Sequence, residues 1–171
     1  MEEFAGETAQ GRALFEELLW VHGVLRRDLD RVERLAREVA SGMPGAALAA
    51  ELQELKTSGP LWQLKVSCLR YCRFVHLHHN LEDVLLFPAL RDADPAIGHV
   101  VDRLEADHVR VSELLDAVEA AAERLTAAEE AARADVVLAL EELHGHLLEH
   151  LDYEELQAGP ALRRLERIPG R

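Results

Sequence analysis

Residues 78–83 read His-His-Asn-Leu-Glu-Asp, and residues 150–155 read His-Leu-Asp-Tyr-Glu-Glu. Each hexapeptide is followed, after four more residues, by Pro-Ala-Leu, so both copies fit the pattern H-x-x-x-E-[DE]-x-x-x-x-P-A-L. A His and a Glu that are four residues apart lie on the same face of an α-helix. The repeat therefore predicts two equivalent helices, each of which carries a His-Glu pair on one face.

Four long segments with helical periodicity extend around and beyond these motifs. They run from about Thr8 to Ala40, about Leu61 to Arg91, Asp94 to about Leu125, and about Ala127 to Gln157. Gly/Pro breaks separate the first two segments, Asp94-Pro95 begins the third, and residues 126–129 form a capping box for the fourth. Pro88 lies near the end of the second segment, where we expect it to kink or end the helix.

The connections between these segments determine the predicted architecture. A short amphipathic stretch, about Gly45 to Lys56, predicts an extra short helix between the first and second long helices. Four helices of about 30 residues with short connections predict an all-α fold, an antiparallel up-down four-helix bundle built from two facing hairpins. We expect a single domain over residues 1–171, with its core over about 8–162, because this length suits one hydrophobic core.

The overall charge restricts the class of partner. A net charge of −13 repels nucleic-acid phosphate and anionic lipid, so neither nucleic acid nor membrane is expected as a partner. The N-terminus does not have the pattern of a signal peptide, and no apolar run is long enough to span a membrane. Two cysteines do not make an extracellular disulfide framework. We therefore expect a cytoplasmic protein.

One histidine in each long helix falls on an otherwise apolar stripe. On a helical wheel these are His22, His78, His108 and His150, and the second and fourth helices add a glutamate one turn later on the same stripe. The adjacent His79 falls off the stripe and is expected in solvent, although it would replace His78 if the helix were rotated. The remaining histidines expected in solvent are His76, His99 and His144.

Two carboxylates in a bundle core need cations, because an unpaired buried carboxylate costs several kcal/mol. No Lys or Arg occupies the centre of these stripes. Inward Glu and His from facing helices are a known way to hold two metal ions in a bundle, and nitrogen and carboxylate donors without thiolate suit iron, manganese or zinc. The predicted metal site is His22, His78, Glu82, His108, His150 and Glu154.

These motifs resemble the haemerythrin-like family, whose members carry an HHE cation-binding domain. The resemblance covers about residues 10–162 and lies in Trp20-Val21-His22, in residues 78–83 with Leu86-Phe87-Pro88, in Asp107-His108, and in His150 through Glu154-Glu155. It implies two iron ions, oxo- or hydroxo-bridged, with manganese or zinc as alternatives. By the resemblance, His22 and His78 serve one iron, His108 and His150 the other, and Glu82 and Glu154 bridge them.

The chain departs from the oxygen-carrying members of that family in two ways. Those members have two histidines four residues apart in the third helix, whereas His108 is preceded by Leu104 and followed by Ser112 at that spacing. Their carboxylate in the fourth helix lies five residues after the histidine, which selects Glu155, whereas the wheel selects Glu154. A smaller number of histidines leaves more open coordination positions and favours peroxide chemistry, nitric oxide binding or iron handling over simple oxygen carriage.

The resemblance therefore implies a non-haem di-iron protein that binds or reacts with oxygen, hydrogen peroxide or nitric oxide. The alternative is an iron or oxygen sensor, or an iron-handling module, without enzymatic turnover; the sequence leaves catalysis open. The expected partner is a small diatomic or peroxide ligand. Residues expected close to the metal ligands, without binding metal themselves, are Tyr71, Glu105, Ser112 and His146; Cys68 and Cys72 are expected as buried small side chains.

Overall fold

The computed structural model describes residues 6–42, 59–125 and 129–167, and within these ranges it is helical, with no strand. Its elements are α1 (Ala9–Gly42), α2 (Pro60–Leu81), a π-helical turn (Glu82–Leu86), α3 (Phe87–Ala93), a 3-10 turn (Pro95–Ile97), α4 (Gly98–Glu123), α5 (Glu130–Gln157) and α6 (Gly159–Leu162). The expected short helix at about 45–56 and most of the capping box at 126–129 lie outside the described residues. Among the described helices, none combines the length and apolar character needed to cross a membrane.

Each of the four long helices packs against two of the others. α1 contacts α2 and α5, and α4 contacts the same two helices from the other side. Each helix consequently buries a broad face directed at two neighbours rather than a narrow stripe directed at one. The four helices enclose one interior, and that interior holds the site described below.

The interior contains two apolar clusters with polar residues between them. One cluster includes Leu25, Val75, Val111 and Leu147, and the other includes Leu18, Leu86, Phe87 and Leu104. On α1, His22 comes between residues of the two clusters, and on α4 His108 does the same. The apolar clusters supply the burial that stabilises the helices, and the polar side chains form a layer between them.

The second long helix does not end at Pro88. It continues to Ala93 after the π-helical turn, in which the N–H of Phe87 donates to the carbonyl of Glu82, five residues earlier. Pro88 lies in the first turn of α3, where its missing N–H is tolerated. The expected irregularity is therefore a wide turn just before the proline, and such turns frequently occur at functional sites.

Candidate metal centre

Seven buried polar residues form the layer between the two apolar clusters. Each of them is less than 9% exposed: His22 of α1, His78 and His79 of α2, Glu82 of the π-helical turn, His108 of α4, and His150 and Glu154 of α5. The structure thus brings together all six residues of the predicted site and adds His79.

The layer divides into two groups of four that share Glu82. The first group is His22, His78, Glu82 and Glu154, and the second is His79, Glu82, His108 and His150; within each group one donor atom from every residue lies within 4.8 Å of the others. The Oε1 atom of Glu82 is 3.2 Å from Nε2 of His78, and its Oε2 atom is 3.3 Å from Nε2 of His108. The two oxygens of one carboxylate therefore face histidines of different groups.

Glu154 and Glu155 occupy different places around His22. The Oε2 atom of Glu154, which is fully buried, lies 3.4 Å from Nε2 of His22 and 3.9 Å from Nε2 of His150. Glu155 contacts the other side of the same ring, with Oε1 at 2.9 Å from Nδ1 of His22, and it also accepts a hydrogen bond from Arg26 at 2.7 Å. Glu154 points into the layer, whereas Glu155 contacts His22 from the outer side of the layer.

His79 is buried, and the prediction that it lies in solvent was wrong. It is 5% exposed, and its ring stacks on that of His108 with a centroid distance of 3.9 Å and an interplanar angle of 10°. The adjacent His78 instead meets the ring of His22, at 5.1 Å. Because α2 packs against both α1 and α4, two consecutive residues can each face a neighbouring helix. In the sequence, the signal for the burial of both residues was that the two histidines are consecutive.

Carboxylates on the outer side of the layer orient two of its histidines. Asp83 contacts Nδ1 of His108 at 2.7 Å, as Glu155 contacts Nδ1 of His22. A carboxylate that accepts the Nδ1–H proton of an imidazole fixes the tautomer and leaves Nε2 free to bind inward. The helical wheel predicts no such role for Asp83, because this residue falls off the apolar stripe. In the structure its side chain is 42% exposed, yet it still reaches His108.

The four residues expected near the ligands have these surroundings. The hydroxyl of Tyr71 is buried and donates to a backbone carbonyl of α1 at 3.1 Å. His146 is exposed. Glu105 accepts a hydrogen bond from Arg91 at 2.8 Å, and Ser112 lines a groove between α2 and α4.

Several donor atoms of the layer are buried without a hydrogen-bond partner in the described part of the chain. They are Nε2 of His22, His78 and His79, and both carboxylate oxygens of Glu82 and Glu154. Nδ1 of His150 also lacks a hydrogen-bond partner there, but it faces Asp107 at 3.7 Å rather than the layer. Native proteins rarely bury so many unsatisfied polar atoms together, since each costs free energy. Nitrogen and oxygen atoms that converge in this way fit metal cations, which would supply the missing partners.

The same burial controls protonation in the layer. Burial, followed by the charge of His22, lowers the pKa of His78 to about 3, and burial also lowers the pKa of His79 well below its ordinary value. Burial and the neighbouring Glu154 raise the pKa of Glu82 well above its usual range. Without a cation, Glu82 therefore holds a proton, whereas the two adjacent imidazoles stay neutral and keep a lone pair for a metal.

His22 and Glu154 behave as a pair. Burial alone would raise the pKa of Glu154, but the adjacent His22, whose Nε2 lies 3.4 Å from Oε2 of Glu154, outweighs it and holds that pKa below its ordinary value. Burial would likewise lower the pKa of His22, but Glu154 and Glu155 outweigh it and raise that pKa. The layer thus contains one ion pair and one protonated acid, which makes its two glutamates electrostatically different.

Among the surface openings that reach the layer, the two described here differ in character. A cleft of about 250 Å³ between α1 and α2 ends at His78 and Glu82, and its walls are largely leucine and valine: Leu14, Leu18, Val21, Leu81, Leu85, Leu86 and Leu162. A groove of about 390 Å³ between α2 and α4 reaches His79 and His108, and its acidic lining is Asp83, Glu105, Glu113 and Asp116. One opening suits apolar molecules and the other suits cations.

The comparisons with known proteins give one match. The chain matches the family described as the Hemerythrin HHE cation binding domain over residues 48–162, which is more than half of its length. Neither the curated proteins nor the solved structures gave a match. The matched range contains every residue of the layer except His22. The resemblance noted in the sequence is thereby confirmed, and the chain belongs to the Hemerythrin HHE cation binding domain family.

Proposed function

We propose that this protein is a non-haem di-iron protein that binds or reacts with dioxygen, hydrogen peroxide or nitric oxide in the core of an antiparallel four-helix bundle. The observation that carries the proposal is the position of Glu82, which belongs to both donor groups and directs one oxygen to each. A carboxylate placed in this way suits a pair of metal ions better than a single ion.

The two donor groups define the ligands of each ion. One iron would be held by His22, His78, Glu82 and Glu154, and the other by His79, Glu82, His108 and His150. His79 would supply the fifth histidine that the third helix lacks. The donors are imidazoles and carboxylates without thiolate, a set that suits iron and also admits manganese or zinc.

The chain's own residues would give the site its properties. Bound iron would supply the redox and ligand-binding chemistry toward the small molecule. Glu82 would release its proton as the ions bind, because a carboxylate must be deprotonated to ligate. Asp83 and Glu155 would hold His108 and His22 with Nε2 directed inward.

The leucine-lined cleft supports a small, weakly polar ligand. It reaches the layer at His78 and Glu82, and apart from these two residues its described lining is leucine and valine with the exposed Glu17. Apolar walls admit dioxygen or nitric oxide, whereas water must give up hydrogen bonds to enter. We therefore infer that this cleft is the access route for the ligand.

The acidic groove favours a second candidate function, an iron-handling or sensing module without turnover. Four carboxylates line the approach to His79 and His108. Glu105 and Glu113 pair with arginines, so the groove keeps an excess of negative charge rather than four free charges, and such an excess raises the local concentration of cations. If metal ions enter and leave by this route, the fraction of protein with iron bound would follow the iron concentration, and that fraction would be the signal.

Metal analysis and optical spectra of the purified protein test the proposal. We expect about two irons per chain and a near-ultraviolet absorption that changes on addition of peroxide. The Glu82→Gln variant should lose this paired binding, and Glu38→Gln, which changes an exposed glutamate of α1, should keep it. Peroxide turnover would favour the first candidate, and a metal-dependent change in stability without turnover the second. Folded protein that takes up no iron under anaerobic reconstitution would refute both.

A further inference from the structure

A second kind of donor cluster lies outside the layer, where α1 packs on α5. It consists of Asp30 and Glu33 of α1 and His144 of α5, with one donor atom of each within 4.8 Å of the others. Asp30 and Glu33 are three residues apart and so share a helix face. Nδ1 of His144 lies 3.0 Å from Oε2 of Glu33. The cluster combines an imidazole with two carboxylates.

Glu33 is the unusual member of this cluster. Its side chain is only 6% exposed, and its Oε1 atom is buried without a hydrogen-bond partner in the part of the chain that the structure describes. The neighbouring arginines Arg31 and Arg37 pair with Asp28 and Glu141 instead. Within residues 6–42, 59–125 and 129–167, the ion-pair partner recorded for Glu33 is His144. One oxygen of a buried carboxylate is thus left without a partner, at a free-energy cost.

We propose that this cluster binds one divalent transition-metal ion, of the zinc class, between α1 and α5. Glu33, His144 and Asp30 supply three protein ligands of types that zinc accepts, and the remaining coordination positions are open to water. The ion gives the buried carboxylate of Glu33 a cationic partner. His144 is 35% exposed and Asp30 is exposed, so the ion reaches the site directly from solvent.

This site is separate from the layer. Glu33 follows His22 by 11 residues on α1, and His144 precedes His150 by six residues on α5. At a rise of 1.5 Å per residue, these separations are about 16 and about 9 Å along the helices. The two sites share no ligand. A zinc ion here ties together the helices that carry His22 and Glu154, and it stabilises their packing because it binds the folded chain.

Zinc uptake by the iron-loaded protein tests the inference. Native protein, His144→Ala and Glu33→Gln are dialysed against Zn²⁺, with His99→Ala as the control because His99 is an exposed histidine outside every donor cluster described above. We expect one more zinc ion per chain in the native protein and the control than in the other two variants. Zinc should also raise the melting temperature of the native protein but not that of His144→Ala.

The same comparison on metal-free protein separates this site from the proposed di-iron centre. Native protein should still bind one more zinc ion than His144→Ala, even if the layer fails to bind iron. His144 is partly exposed, so its truncation should leave the fold intact, as circular dichroism would verify. Equal zinc uptake by native protein and His144→Ala would overturn the inference, and so would an equal loss in His99→Ala, which would indicate binding by surface histidines in general.

Discussion

Replacing Glu82 with methionine should stabilise the metal-free protein while it abolishes stabilisation by iron. Glu82 is 4% exposed, and among the described residues neither of its carboxylate oxygens has a hydrogen-bond partner. Methionine is unbranched like glutamate and adapts to irregular spaces, so Glu82→Met removes both oxygens with little change in shape. The substitution therefore isolates the cost of the buried carboxyl group.

The magnitude follows from that cost. A buried polar group without a partner costs about 1–3 kcal/mol in mutational data, so the metal-free variant should gain about 2 kcal/mol in free energy of unfolding. For a chain of this size, 1 kcal/mol corresponds to about 2–4 °C in melting temperature, so the expected rise is about 4–8 °C. Iron should raise the melting temperature of the native protein, because it binds the folded state, but not that of Glu82→Met.

Thermal unfolding followed by circular dichroism, with chelator and then with iron, measures both effects. Glu38→Met is the control, because Glu38 is exposed on α1 and its replacement should change the melting temperature little. A melting temperature for metal-free Glu82→Met at or below that of the native protein would refute the reasoning. It would mean that the carboxyl group of Glu82 is satisfied when the site is empty.

Three further predictions concern the layer and the two cysteines. His79→Ala should lower the iron content from about two ions per chain toward about one, since His79 belongs to the second donor group alone; metal analysis measures the ratio. The metal-free protein should lose stability as the pH falls from about 6.5 to about 4.5. Over that range unfolding lets His78 and His79 take up protons, because burial lowers their pKa values, whereas Glu82 releases the proton that its raised pKa retains. His108, whose pKa burial also lowers, adds to the uptake, so the net is positive. Each net proton taken up corresponds to about 1.4 kcal/mol per pH unit, and urea unfolding at several pH values measures the slope. Burial raises the pKa of Cys68 to about 12 and that of Cys72 further, so at pH 8 neither thiol should react with a disulfide reagent until the protein unfolds; rapid reaction of the folded protein would contradict this.

The burial of His22, His108 and His150 could be predicted because each lies on a long helix whose apolar residues recur with one clear period. The same periodicity selected Glu154 over Glu155, and the structure buries Glu154 completely. For these residues, the face of the helix alone determines which side chains enter the core.

His79 could not be predicted in the same way. A helical wheel with a single stripe assumes one packing partner, whereas α2 packs against both α1 and α4 and buries adjacent residues. The contact between Asp83 and His108 depends on the distance between the two helical segments that carry them. The periodicity of one helix does not determine that distance. The His-x-x-x-Glu spacing was visible in the sequence. The division of the donor residues into two groups that share Glu82 required the structure.

The π-helical turn amounts, in genetic terms, to a one-codon insertion into an ordinary helix. Leu85 lies three residues after Glu82, so a regular helix would place both on the same inward face. The structure instead leaves Leu85 half-buried and buries Leu86 and Phe87. Deleting the exposed Val84 would restore a regular helix but rotate everything after it by about 100° relative to Glu82. The extra residue thus changes which positions of the helix face the interior. Up to Glu82 the inward positions carry the donor atoms, and after Glu82 a shifted set of positions packs into the apolar cluster. Length changes in this segment should consequently be far less tolerated than substitutions at its exposed positions.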